Sequence, residues 1–116
     1  MGTLILPGQE RVEADKILYL ESESNYTIIH KTNSPKKVIA AKSLCYIQEG
    51  LNPLDFIRIN RRQVININMI GDFWGEKGFL NIQLRNGPLC RTSRRRTVDV
   101  MKSIFSQKDK KRLSVS

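Results

Sequence analysis

Histidine and cysteine are scarce in this 116-residue chain: His30 is the only histidine, and Cys45 and Cys90 are the only cysteines, far apart and without a CxxC pair. That leaves too few ligands for a zinc site and no framework for disulfides. Nucleophilic catalysis needs a base and an orienting group beside the nucleophile, and one histidine nearly exhausts the options. The chain is therefore read as a non-enzyme, with no catalytic residue, no metal and no cofactor. No apolar run approaches the ~20 residues of a membrane span. Glu10, Glu13 and Asp15 stand where a signal peptide would have a long apolar stretch. A soluble, cytoplasmic protein without a membrane partner is expected. No internal repeat or long linker is evident.

Acidic residues are also in deficit. Twenty Lys and Arg face 11 Asp and Glu, a formal net charge of +9. Residues 1–57 carry six basic and seven acidic side chains, whereas residues 58–116 carry fourteen and four. The excess is thus confined to the second half, in Arg58, Arg61 and Arg62, in Arg91 and Arg94 to Arg96, and in a tail with Lys108, Lys110, Lys111 and Arg112. Clustered guanidinium groups raise the local potential and recruit polyanions, nucleic acid first. Arg forks suit phosphate and guanine better than they suit water. With 40% apolar residues a chain of this length can bury one core, which excludes a multi-domain enzyme.

Strand signals dominate. Lys16 to Glu21 and Asn25 to Lys31 read as strands joined by a Ser22-Glu23-Ser24 turn, and Lys36 to Ala41 as a third, all antiparallel. Ser43 can cap a short helix carrying Leu44, Ile47 and Leu51, ended by Gly50 and Pro53. Phe56 to Ile59 is extended again, and a polar Asn60-Arg61-Arg62 bulge precedes Val64-Ile65. Met69 to Trp74 and Phe79 to Arg85 form two further strands; in the second, Leu80, Ile82 and Leu84 alternate with Asn81 and Gln83. Asn86-Gly87 predicts a type I′ turn, after which Pro88 to Arg91 returns as the partner strand. Ser93 reads as the N-cap of a closing helix with Val98, Met101 and Phe105 on its apolar face. Arg94 to Arg96 in its first turn oppose the helix dipole, a conflict that an incoming phosphate relieves, or that a later helix start removes.

ILYLESESNYTIIH, then KSL, FIRINRRQVININMI, the alternating strand with NG, and SRRR follow one another in this order. In these blocks, from about Lys16 to Phe105, the chain resembles the LytTR family of bacterial DNA-binding domains, most closely at Phe56, Arg58, Arg61, Val64, Asn66, Asn86, Gly87, Ser93 and Arg94. The resemblance implies a mainly β fold, an elongated set of about ten short antiparallel strands in small sheets with short helices. Residues 1–15 would form an N-terminal extension, 16–105 the DNA-binding domain and 106–116 a basic, disordered tail. It also implies a sequence-specific transcription regulator of double-stranded DNA that inserts loops into successive major grooves and bends the duplex, with repeated sites and a homodimer on DNA as the expected arrangement. Many relatives carry a receiver domain, for which the chain has no room, so a free-standing effector domain is expected.

Carried over residue by residue, base contacts fall at Asn25 and Tyr26, at Asn60 and Arg61, and at Arg95. Phosphate contacts fall at Lys42, Ser43, Arg58, Arg62, Ser93, Arg94 and Arg96. Arg61 and Arg95 can each donate two hydrogen bonds to guanine O6 and N7, and Asn25 or Asn60 can pair both ways with adenine; the phosphate ligands add affinity without sequence information. Two departures stand out: Asn60 replaces a frequent histidine, and Arg62 stands where a small or aromatic residue is usual. The alternative is an RNA-binding β module using the same surface, which would need exposed aromatics for stacking, among only eight Phe, Tyr and Trp residues. Among single residues, Asn66 reads as a buried structural asparagine, Trp74 and Phe73 as packing, His30 as a satisfied histidine, and Cys45 and Cys90 as small buried apolar residues.

Overall fold

The computed structural model describes residues 2–6 and 11–115, with side chains described through Gln107. The ten strands among the described residues form sheets of two, three and five strands. β1 (Thr3–Ile5) and β2 (Arg11–Glu13) form a small antiparallel ribbon. The five-stranded sheet has the order β5-β4-β3-β7-β6, built from β3 (Ile17–Glu23), β4 (Tyr26–Lys31), β5 (Lys37–Ala40), β6 (Phe56–Arg58) and β7 (Gln63–Asn66). The three-stranded sheet comprises β8 (Ile70–Glu76), β9 (Phe79–Leu84) and β10 (Leu89–Arg91), with β9 in the middle. Every strand pair is antiparallel.

Two hydrophobic clusters hold these layers together. The first lies under α1 (Leu44–Glu49) and joins Leu44 and Ile47 to Leu20, Ile29, Phe56 and Val64 of the large sheet. The stretch 1–15, expected as an extension ahead of the domain, contributes Leu4, Leu6, Val12 and Ala14 to this cluster. The second cluster packs the small sheet and α2 (Thr97–Val115) on the opposite side, through Tyr19, Ile59, Ile65, Leu80, Ile82, Leu84, Cys90, Val100 and Ile104. β7 is therefore buried on both faces, Val64 pointing into one cluster and Ile65 into the other. Asn66 is fully buried as well; its Nδ2 donates to the Ile17 carbonyl at 2.8 Å and its Oδ1 accepts from the Asn68 amide at 3.0 Å, so it is a structural residue.

Ser43 caps α1 as its sequence requires, its Oγ accepting from the Tyr46 amide at 3.2 Å. The turn between β3 and β4 is Ser24-Asn25, one to two residues later than read, with Ser24 at φ 55°. Asn86-Gly87 is not a type I′ turn, because only Asn86 has positive φ, 53°. Gly87 is needed for space instead: a Cβ there would lie 2.8 Å from Leu18 Cδ2. The I′ geometry belongs to Lys77-Gly78, at φ 51° and 87°, which closes β8 onto β9.

The closing helix differs from its expectation in start and in face. Arg94–Arg96 form a separate 3-10 turn and α2 begins at Thr97; Ser93 offers no side-chain cap. Val98, Met101 and Phe105 lie on the exposed side, Phe105 edge-on to the Phe73 ring at 6.2 Å, whereas Val100 and Ile104 are buried. Cys45 is exposed, against expectation, because it faces outward on α1; Cys90 is buried. The basic side chains of the expected tail, from Lys108 to Arg112, lie outside the described residues.

Candidate nucleic-acid interface

The three polar stretches that carry the expected contacts, two of them basic, meet along one edge of the molecule. Asn25 and Tyr26 occupy the tip of the β3–β4 hairpin, both exposed. Thr27, just behind them, donates from Oγ1 to the Lys42 carbonyl at 2.8 Å, which fastens the segment leading into α1 to this hairpin. Lys42 then sits with Nζ 5.1 Å from the centre of the Tyr46 ring, and Ser43 is exposed beside it.

The second loop, residues 59–62, joins β6 to β7. Its backbone is tied to the first hairpin, since the Ser22 amide donates to the Arg62 carbonyl at 2.8 Å and Arg62 Nη2 reaches the Ser22 carbonyl at 3.4 Å. Inside the loop, Arg58 turns its guanidinium inward: Nε donates to the Asn60 carbonyl at 3.2 Å and Nη2 to the Arg61 carbonyl. Burial, and then the Arg96 charge, hold the Arg58 pKa below its ordinary value. The Asn60 amide is also engaged, with Nδ2 donating to Gln63 Oε1 at 2.9 Å and to the Arg91 carbonyl at 2.8 Å, and Oδ1 accepting from the Arg62 amide at 2.8 Å.

The third loop, Thr92 to Arg96, is tied to the second by the Ser93 amide, which donates to the Ile59 carbonyl at 2.9 Å. Behind it, the buried Thr92 accepts from the Leu80 amide at 2.9 Å, and its hydroxyl is 2.7 Å from that of Thr97. The Thr97 Oγ1 in turn lies 2.9 Å from the Ser93 carbonyl. This polar stitch fixes where the arginine turn leaves the small sheet. Arg94 lies over the Phe79 ring at 4.8 Å and Arg91 over the same ring at 5.2 Å, with Arg91 also paired to Glu76 at 3.3 Å. Arg61 and Arg95 are exposed, and neither guanidinium has a side-chain hydrogen bond or ion pair among the described residues.

The structure thus brings all twelve expected positions to one connected edge but separates them by engagement. Arg61, Arg95, Asn25 and Tyr26 project outward. Arg58 and Asn60 are turned back into the protein, and the Ser43 oxygen accepts the helix-cap bond while its hydroxyl hydrogen is left to donate. Sequence reasoning missed Gln63, the Thr92–Thr97 pair and Phe79, whose roles depend on partners distant in the chain; only Thr97, one helical turn after Ser93, carries a local signal. His30, away from this edge, stacks on Tyr19 at 4.1 Å and shares a 2.7 Å hydrogen bond with Glu21. Among the described residues no cluster of His, Cys, Asp and Glu is arranged to hold a metal ion, and no helix is long and apolar enough to cross a membrane.

A family model for the LytTr DNA-binding domain matches residues 8–105. The match reaches further toward the N-terminus than the blocks of sequence resemblance do, taking in β2. Among solved structures, the LytTr DNA-binding domain of a putative methyl-accepting/DNA response regulator from Bacillus cereus superposes with a TM-score of 0.71 at 20% identity, over 89% of this chain and 94% of that one. That likeness concerns the fold. No curated protein sequence matches the chain.

Proposed function

The chain belongs to the LytTr DNA-binding domain family, and we propose that it is a cytoplasmic, sequence-specific regulator of transcription whose three edge loops enter successive major grooves of double-stranded DNA. The observation that carries this reading is the pair of exposed guanidinium groups, Arg61 and Arg95, on loops hydrogen-bonded to each other through Ile59 and Ser93. Each is an unoccupied two-donor fork of the kind that pairs with guanine O6 and N7. Asn25 and Tyr26 at the hairpin tip are the third reading element.

Lys42, Ser43, Arg62, Ser93, Arg94 and Arg96 flank these readers and serve as phosphate ligands, supplying affinity and orientation. A homodimer on repeated elements fits the limited reach of one such edge, since half-sites one helical turn apart present the same face of the duplex.

Selection from a pool of random duplexes tests the proposal. Enrichment of a repeated element that contains guanines about one helical turn apart is the expected outcome. Absence of enrichment, or stronger competition by single-stranded RNA than by duplex DNA, would overturn it.

A further inference from the structure

Asn60 carries three hydrogen bonds within 2.9 Å, and none of its partners is its immediate neighbour in a regular ladder. Both amide hydrogens are committed, one to Gln63 and one to the Arg91 carbonyl 31 residues away. Its oxygen is held by the Arg62 amide. An asparagine that reads adenine must offer that same donor and acceptor pair to the base edge, so reading would require breaking bonds already made. Arg58 presents a related case: Nε and Nη2 of its half-buried guanidinium already donate to the carbonyls of Asn60 and Arg61, so the edge that would face a phosphate as a two-donor fork is spent on the loop.

We propose that Arg58 and Asn60 are positioning residues that set the spacing of the two reading arginines and do not themselves contact base edges or phosphates. Arg58 braces the two peptide carbonyls on which the Arg61 side chain is carried. Asn60 bridges the second loop to Arg91, two residues before Ser93, at the entry to the third loop. With the backbone bond from Ser93 to Ile59, the two loops are joined at two points. A displacement of about 1 Å is enough to spoil a bidentate guanine contact, so slack in this bridge reaches both arginines at once. The inference rests on the DNA-binding reading given above, and two of its signatures separate it from that reading.

The test is competition binding of the full chain and of Asn60→Ala, Asn60→Asp and Arg58→Lys to the selected duplex and to a panel with each base pair substituted singly. The bridge predicts that Asn60→Ala relaxes discrimination at the guanines of Arg61 and of Arg95 together, by about three- to tenfold each, as expected for a lost hydrogen bond. Arg58→Lys keeps the charge but loses the fork, and should relax discrimination at the Arg61 guanine while the salt dependence of binding stays unchanged.

Relaxation at a single adenine position in Asn60→Ala, with both guanines still discriminated, would show that Asn60 reads a base and overturn the inference. So would an Arg58→Lys variant that weakens every duplex equally. Thermal unfolding of each variant guards against loss of fold; if Asn60→Ala does not fold, Asn60→Asp and Arg58→Lys decide the matter by the same two signatures. If the unsubstituted chain enriches no duplex, the DNA-binding reading itself fails, an outcome distinct from either of these.

Discussion

At the scale of single residues, the interface divides by what each side chain already touches. Arg95 is exposed and unpartnered among the described residues, whereas Arg94 rests on the Phe79 ring. Arg95→Ala is therefore expected to relax preference at one base position by about 1–3 kcal/mol. Arg94→Ala should weaken binding to all sequences about equally. A panel of singly substituted duplexes distinguishes the two.

Residues of the second core make a different, pH-dependent contribution. Burial, with the Glu21 charge adding to it, pushes the Tyr19 phenol up to about 12 and the buried Cys90 thiol up to about 11. Both shifts favour the protonated group in the folded state. The stability they contribute is thus complete below the unfolded values of 9.0 for Cys and 10.0 for Tyr, and is lost as pH rises toward the folded ones. Urea midpoints should decline from about pH 9 upward, and Cys90→Ala should flatten the decline between about pH 9 and 11 relative to the unsubstituted chain.

At the scale of elements, turns and helix faces show where local sequence suffices. The Ser43 cap, the alternation of Leu80, Ile82 and Leu84, and the three strands from Ile17 to Ala40 were legible because each is specified by neighbours in the chain. The helix face was not. Val98, Met101 and Phe105 repeat at helical spacing, but so do Thr97, Val100 and Ile104, one residue out of phase. The second core, which takes in Val100 and Ile104, and the contact of the Thr97 hydroxyl with the Gly78 carbonyl choose the second stripe. Val100→Ala should consequently destabilise the protein by about 1–3 kcal/mol, and Val98→Ala by less than about 0.5 kcal/mol; chemical denaturation measures both.

The hairpin turns make the same point with glycine. Asn86-Gly87 has the stronger sequence signal, yet Gly87 answers to the approach of Leu18, while positive φ at both central positions falls on Lys77-Gly78. Gly78→Ala places a Cβ at φ 87° and should cost about 1–2 kcal/mol. No atom beyond the two adjoining residues lies within 4 Å of that Cβ, so the cost is one of backbone conformation alone.

At the scale of the whole molecule, the charge that marked the second half of the sequence becomes a surface. Residues from positions 25 to 96 are gathered on one edge because β7 runs between β3 and β6 in the large sheet and because the third loop is hydrogen-bonded to the second. Arg61 was legible from its polar stretch between apolar runs, whereas Arg95, read in the first turn of the closing helix, was singled out by the family resemblance alone. The inward turn of Arg58 and Asn60 was not legible, because their partners are backbone carbonyls whose positions only the folded chain sets.

Methylation interference on the selected duplex tests the central claim most directly. Dimethyl sulfate modifies guanine N7 in the major groove and adenine N3 in the minor groove, and a methyl group at N7 removes one acceptor of the arginine fork. The account predicts strong interference at guanine N7, lost at one position in Arg61→Ala and at another in Arg95→Ala, with little at adenine N3. Interference confined to adenine N3, or guanine signals that neither substitution alters, would contradict it.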